Sequence, residues 1–137
     1  MRSNTQSVRL PGNPADVFAF LADPENLPRW AVGFCRAIRR DGEDRWIIET
    51  PSGSELSVRY ASHSALGTID FHMRMAPGAK AVAYSRVMPT GDGAEYVFTQ
   101  FQSADMPDAV FDGQVSALTE ELRVLQAIFR ARQACPV

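Results

Sequence analysis

Cysteine and histidine are scarce in this chain, which argues against a metal site. The 137 residues include two cysteines, Cys35 and Cys135, without a CxxC motif, and two histidines, His63 and His72, without an HxH or HxxxH pair. Metal sites in proteins need several such ligands at short spacings. We therefore expect no metal and no other cofactor. This cysteine usage predicts free thiols in a reducing, cytoplasmic environment.

Lysine is almost absent, and long apolar runs are missing as well. Lys80 is the only lysine in the sequence, against thirteen arginines scattered along it, and the formal net charge is −2. Nucleic acids and anionic membranes are bound through clustered positive charge, so we expect neither as a partner. No apolar segment follows Met1, which predicts neither a signal peptide nor membrane insertion. Hydrophobic content of 45% and charged content of 22% are typical of a globular protein, and we expect one domain over residues 1–137.

Two helix-start signals occur ten residues apart near the N terminus. Asn13-Pro14 and Asp23-Pro24 each combine an N-cap side chain with proline at the first helical position. A residue that precedes such a pair is driven out of helical geometry, so the first helix should end at Ala22. Two short helices joined at an angle are therefore predicted. Cys35 follows in a stretch that alternates like a strand, where we expect a buried, unreactive thiol.

Alternating apolar and polar residues predict antiparallel strands over most of residues 46–103. In one predicted hairpin, Tyr60 faces Ile69 and Arg59 faces Asp70, which collects the apolar side chains on one face. A second hairpin is predicted at Thr90-Gly91-Asp92-Gly93, between strands near 80–89 and 94–103. Its register stays open. One choice places three residues of the first strand opposite three of the second: Tyr84, Arg86 and Met88 opposite Gln100, Phe98 and Tyr96.

The direction of this face is also open. If it points inward, it brings phenols, an amide and the Arg86 guanidinium into an apolar pocket. Burying such polar groups without hydrogen-bond partners costs a few kcal/mol of folding free energy. The alternative places Arg86 in solvent.

The end of the chain is predicted to be helical, because an apolar stripe runs there at 4-3-4-3-4 spacing. It consists of Phe111, Val115, Leu118, Leu122, Leu125 and Phe129. Gln114, Glu120, Glu121 and Arg130 lie off that stripe.

The stretches VFAFLADPENLPRW, SRVMPTGDGAEYVFTQF and FDGQVSALTEELRVLQAIF resemble the START-like superfamily, also called SRPBCC, the polyketide cyclase/dehydrase and lipid-transport group. The resemblance covers nearly the whole chain. It implies an α+β helix-grip fold, in which a curved antiparallel β-sheet wraps around a long C-terminal α-helix, with two short helices after the first strand. Members bind lipids, sterols, polyketides or plant hormones in a cavity between sheet and helix. Some catalyse cyclisation or dehydration, and some act through protein partners.

Our first hypothesis is that a small hydrophobic molecule binds in this cavity. Trp30 and Phe34 would lie at its mouth, or else they fill the core. A second hypothesis is a cyclase- or dehydratase-type enzyme, but the sequence shows no buried carboxylate or histidine for acid–base work. A third is a protein-interaction module that pairs through an edge strand, for example as a homodimer. The candidate ligand-binding residues are Trp30, Phe34, Trp46, Tyr60, Phe71, Met73, Tyr84, Arg86, Tyr96, Phe98, Gln100, Phe111 and Val115.

Overall fold

The computed structural model describes residues 1–75 and 78–134, and Cys135 lies outside these ranges. The strands are β1 (Ser3–Pro11), β2 (Ala37–Arg40), β3 (Trp46–Glu49), β4 (Glu55–His63), β5 (Thr68–Met75), β6 (Ala79–Pro89) and β7 (Gly93–Phe101). The helices are α1 (Pro14–Ala22), α2 (Leu27–Trp30) and α3 (Asp108–Ala134). The strands form one curved antiparallel sheet in the order β1-β7-β6-β5-β4-β3-β2. The predicted α+β helix-grip fold is confirmed.

The two short helices begin at their predicted caps. The side chain of Asn13 accepts the N–H of Ala15 at 2.9 Å, and the side chain of Asp23 accepts the N–H of Glu25 at 3.0 Å. α1 ends at Ala22, as predicted. The second helical segment is divided into a 3₁₀ turn, Pro24–Asn26, followed by α2. This arrangement turns the chain sharply and brings α2 over the sheet.

The hairpin between β4 and β5 keeps its predicted faces but not its predicted register. Tyr60 pairs with Phe71, and Arg59 pairs with His72, so the predicted pairing is wrong by two residues. The connecting turn spans residues 64–67, two residues later than the predicted turn near residues 62–65, and ends at Gly67, whose φ of 73° lies in the left-handed region. Because the shift is an even number of residues, every side chain remains on the face predicted for it.

The hairpin between β6 and β7 corrects two predicted site residues. Tyr84 pairs with Thr99 and Arg86 with Val97, one residue away from the register given above, in which Tyr84 faces Gln100. In this register Tyr84 and Arg86 do not share a face with Tyr96 and Phe98. The buried residues of β6 are Ala83, Ser85 and Val87. Tyr84 and Arg86 therefore lie on the outer face, and 47% of Tyr84 is exposed. Solvent satisfies the Arg86 guanidinium there, and its Nε also donates to the carbonyl of Leu66 at 3.2 Å.

α3 lies against the inner face of the sheet and is tied to β1 by polar contacts. The Gln6 side chain donates to the carbonyl of Val115 at 3.0 Å, and the hydroxyl of Thr119 donates to Gln6 at 2.8 Å. The buried residues of α3 follow the predicted stripe, with one addition, Glu121. The core lies between this stripe, α1, α2 and the inner face of the sheet. No helix within the described residues is long and apolar enough to cross a membrane.

Candidate functional site

A cavity of about 370 Å³ lies between the inner face of the sheet and α3. Its walls come from β3 to β7, from α2 and the loop after it, and from one side of α3. Phe101, which is 39% exposed, and the exposed Gln114 also line it, so this end of the cavity meets the surface. The curvature of the sheet and the small side chains of Ala81, Ala83 and Ala117 leave this space open.

Six of the thirteen predicted ligand-binding residues line the cavity: Trp30, Phe34, Phe71, Met73, Phe98 and Gln100. Trp30 is also part of the core, with 3% of its surface exposed, and its ring meets that of Tyr96 edge to face at 6.2 Å between centroids. Of the two alternatives for Trp30, the structure favours the core, and the same side chain also forms part of the cavity wall.

Tyr60 and Tyr96 point inward but lie behind the cavity wall. The ring of Tyr60 packs against Phe71 at 4.8 Å between centroids, and that of Tyr96 lies 6.4 Å from Phe98. Both phenol hydroxyls are buried without a hydrogen-bond partner in the part of the chain that the structure describes. Burial raises the pKa of both phenols, so they remain neutral at physiological pH.

Five other predicted residues lie away from the cavity. Tyr84 and Arg86 are on the outer face, as described above. Trp46 is covered by the guanidinium of Arg40, 5.5 Å from its ring centroid. Phe111 and Val115 lie on α3, but neither belongs to the cavity wall. The guanidinium of Arg2 lies 5.1 Å from the Phe111 ring centroid, and the Val115 carbonyl accepts hydrogen bonds from Gln6 and Thr119.

Glu121 is a buried cavity residue that sequence reasoning missed. Its side chain lines the cavity, and 6% of the residue is exposed. The cavity side of α3 carries four residues at the helical spacing i, i+3, i+4 and i+7: Gln114, Ala117, Leu118 and Glu121. Glu121 thus stands at the edge of the apolar stripe rather than off it. The sequence held one signal of this position: Glu121 follows Leu118 by three residues, which places both on one helix face. Its charge pointed instead to a solvent-exposed position.

The carboxylate of Glu121 is held by the backbone of the loop after α2. Its Oε2 accepts the N–H of Gly33 at 3.1 Å. A β-carbon on residue 33 would lie 3.3 Å from this oxygen and 3.3 Å from the β-carbon of Ala117. The absence of a side chain at Gly33 therefore lets the carboxylate and the loop approach each other. None of the ion pairs in the described ranges includes Glu121.

Burial without a cation makes Glu121 a weak acid. Removal from water raises its pKa from 4.5 to about 7, and the N–H groups of Gly33 and Phe34 oppose part of that rise. Near neutral pH the carboxyl is therefore divided between its charged and neutral forms. It can accept a hydrogen bond or a proton, or donate one, in surroundings where such interactions are stronger than in water.

Cys35 lies in the same loop as Gly33. It belongs to the connection between α2 and β2 rather than to a strand, so the predicted strand position is wrong. The thiol is buried, as predicted, and its Sγ lies 3.3 Å from the carbonyl of Ala37, to which it donates. Burial, together with the charge of Glu121, raises the pKa of Cys35 to about 11. A thiol in this state is a poor nucleophile.

Residues 1–131 match the sequence model of the family described as polyketide cyclase/dehydrase and lipid transport. The chain belongs to this family. A comparison with curated protein sequences gives no significant match.

Solved structures of similar fold cover most of this polyketide cyclase/dehydrase and lipid-transport domain. MLL2253 from Mesorhizobium loti is 14% identical, with a TM-score of 0.77 over 96% of this chain and 98% of that one. The Aha1 dimer from Colwellia psychrerythraea is 10% identical, with a TM-score of 0.75 over 94% and 96%. The ARO/CYC di-domain protein BexL, from a biosynthetic pathway, is 17% identical, with a TM-score of 0.74 over 99% of this chain and 48% of its own. At these identities the likeness concerns the fold alone.

Proposed function

We propose that this protein binds a small, mostly apolar molecule in the cavity between the sheet and α3. The observation that carries the proposal is the cavity itself, whose volume of about 370 Å³ falls among ligand sites, which span about 300–1,000 Å³. Most of its wall is aliphatic or aromatic. A few polar side chains interrupt this wall, among them Thr50, Gln100 and Glu121. Such a site favours an apolar body and orients it through one or two polar groups.

The expected affinity is moderate. Ligands of drug size gain about 0.3 kcal/mol per non-hydrogen atom, so a guest of ~20 such atoms would gain about 6 kcal/mol. This corresponds to a dissociation constant of tens of micromolar. Fluorescent probes at micromolar concentrations are therefore suited to detect the site.

The test uses N-phenylnaphthylamine, a neutral apolar dye whose fluorescence rises in apolar surroundings. We expect saturable binding to the wild-type protein. Ala81→Phe should abolish it, because Ala81 lines the cavity from β6 and a phenyl ring there would occupy the space. Ala127→Phe is the matched control, because Ala127 is exposed on α3 and outside the cavity wall. Equal dye affinity in both variants, or no saturable binding to the wild type, would refute the proposal.

A second candidate is an acid–base enzyme that uses the same cavity, and the position of Glu121 favours it. A carboxyl with a pKa of about 7 can donate and accept a proton near neutral pH, as general acid–base catalysis requires. Tyr84 and Arg86, two polar residues among the predicted ligand-binding set, lie on the opposite face of the sheet. If a turned-over substrate is found, Glu121→Gln should abolish turnover while dye binding persists. Turnover that survives this substitution would exclude the role.

A further inference from the structure

We propose that the molecule bound in the cavity is an organic amine, and that its protonated nitrogen pairs with the carboxylate of Glu121. The inference rests on the proposed binding function of the cavity and specifies the class of ligand. It starts from an imbalance of charge, since the described residues of the cavity wall include an acidic group and no basic one.

Among the described residues that line the cavity, Glu121 is the only ionisable one. These described lining residues include no arginine, lysine or histidine that could pair with a carboxylate or phosphate of a ligand. An anionic guest would therefore meet either a like charge or a carboxyl that must first take up a proton. A cationic guest would supply the partner that a buried carboxylate otherwise lacks.

The carboxylate is positioned to receive such a partner. The N–H of Gly33 donates to Oε2, and the N–H of Phe34 also favours the charged carboxylate. A carboxylate offers about four acceptor positions, so acceptor capacity remains for a ligand. The Gly33 contact holds the group on the wall of the cavity, and Ala117, one turn earlier on α3, leaves space beside it.

Aromatic rings provide a second feature that suits a cation. Trp30, Phe34, Phe71 and Phe98 line the cavity, and aromatic faces attract ammonium groups through their quadrupoles. Arginine guanidinium groups cover other rings of the molecule, namely Phe20, Trp46, Phe111 and Phe129. No such contact is made to the four cavity rings by any residue that the structure describes. An ammonium ligand would thus find both a carboxylate and aromatic rings that no guanidinium of the described residues covers.

The titratable groups near Glu121 do not supply a competing charge. Cys35, in the loop after α2, has a pKa of about 11, and the phenols of Tyr60 and Tyr96, on the strands opposite, have raised pKa values. All three are neutral between pH 6 and pH 8. On α3 itself, the neighbouring Glu120 pairs with Arg123 on the exposed side, at 2.6 Å.

These conditions set the direction of the pH dependence. The amine pairs with the ionised carboxylate, and the pKa of Glu121 is about 7 in the free protein. The ionised fraction rises about tenfold between pH 6 and pH 8, whereas an aliphatic amine stays protonated over this range. Amine affinity should therefore rise about tenfold across this interval, and the affinity of a neutral analogue should not change.

The test compares three ligands of one shape: naphthylethylamine, naphthylethanol and naphthylacetic acid. Each is titrated by calorimetry and by displacement of N-phenylnaphthylamine, at pH 6 and pH 8. We expect the amine to bind at least about tenfold more tightly than the alcohol at pH 8, and the acid to bind most weakly. Glu121→Gln should remove the preference for the amine and its pH dependence while dye binding persists, and Glu120→Gln should change neither.

The outcomes separate the two proposals. If the dye binds but the amine shows no advantage over the alcohol, or if the acid binds best, the amine proposal is wrong and the apolar site stands. If neither the dye nor any of the three ligands binds, both proposals fail. Should Glu121→Gln not fold, the comparison of amine and alcohol on the wild type still decides, because it needs no variant.

Discussion

The charge on Glu121 should lower the stability of the ligand-free protein, and replacing this residue measures the cost. Its pKa is raised from 4.5 to about 7 in the folded state, so folding favours the neutral form. The stability that Glu121 contributes is therefore complete below about pH 4.5 and is lost as the pH rises through about 7. A rise of this size corresponds to about 3 kcal/mol in the free energy of unfolding.

Glu121→Gln keeps an oxygen for the Gly33 N–H and removes the charge. Relative to the wild type, the variant should gain up to about 3 kcal/mol between pH 4.5 and pH 8, equivalent to roughly 10 °C in Tm for a domain of this size. The assay is urea unfolding at several pH values, followed by tryptophan fluorescence. Other groups titrate equally in both proteins and cancel in the difference.

Glu120→Gln is the matched control, because Glu120 is the exposed neighbour on the same helix. Its free energy of unfolding should differ from that of the wild type by no more than about 0.5 kcal/mol at every pH. A Glu121→Gln difference that does not vary with pH, or one that grows less favourable towards pH 8, would show that the carboxyl is not a buried, uncompensated charge. Glu121 would then give the cavity no electrostatic preference for a cationic ligand.

Three further predictions concern other parts of the chain. Gly67→Ala should lower the free energy of unfolding by at least about 2 kcal/mol in urea, because residue 67 has a φ of 73° and a β-carbon there would lie 2.2 Å from a carbonyl oxygen of β6. In a Cys135→Ser background, Cys35 should react with a disulfide reagent at least about 100-fold more slowly in the folded than in the urea-unfolded protein at pH 8. Arg86→Ala should change N-phenylnaphthylamine affinity by less than about twofold, because residue 86 lies on the outer face.

Each of these has a control or a contrary result. Gly91→Ala should be nearly neutral, because Gly91 lies outside the left-handed region and a β-carbon there would meet no atom within 4 Å. Fast reaction of the folded thiol would mean that Cys35 is accessible. A large loss of dye affinity in Arg86→Ala would place its guanidinium at the cavity after all.

Local signals made much of the fold predictable. The caps at Asn13 and Asp23 act on their own helix, so nothing distant could override them. The inner face of β4 and β5 was also predictable, because side-chain direction depends on strand parity and the register error was even. Register itself depended on the position of the turn, which ends at Gly67 with its left-handed backbone, and the alternating pattern of the strands does not reveal that position.

The site was less predictable, because it depends on contacts between distant segments. Arg86 and Tyr84 alternate along β6 with inward-pointing residues, and the sequence pattern alone does not say which set points inward. Glu121 carries a charge that usually indicates a solvent-exposed position. Its burial depends on Gly33, 88 positions away, which provides an N–H and enough space. No periodicity within α3 contains that information.

The methionines offer the most direct test of the cavity as a binding site. Three of the five, Met73, Met75 and Met106, line it, whereas Met88 points to the other face of β6 and Met1 is 94% exposed. Methyl-labelled methionine NMR during titration with naphthylethylamine should give saturable shifts at the three cavity methyl groups and none at the other two. Shifts confined to Met1 or Met88, or no saturable shift at any methionine, would contradict binding between the sheet and α3.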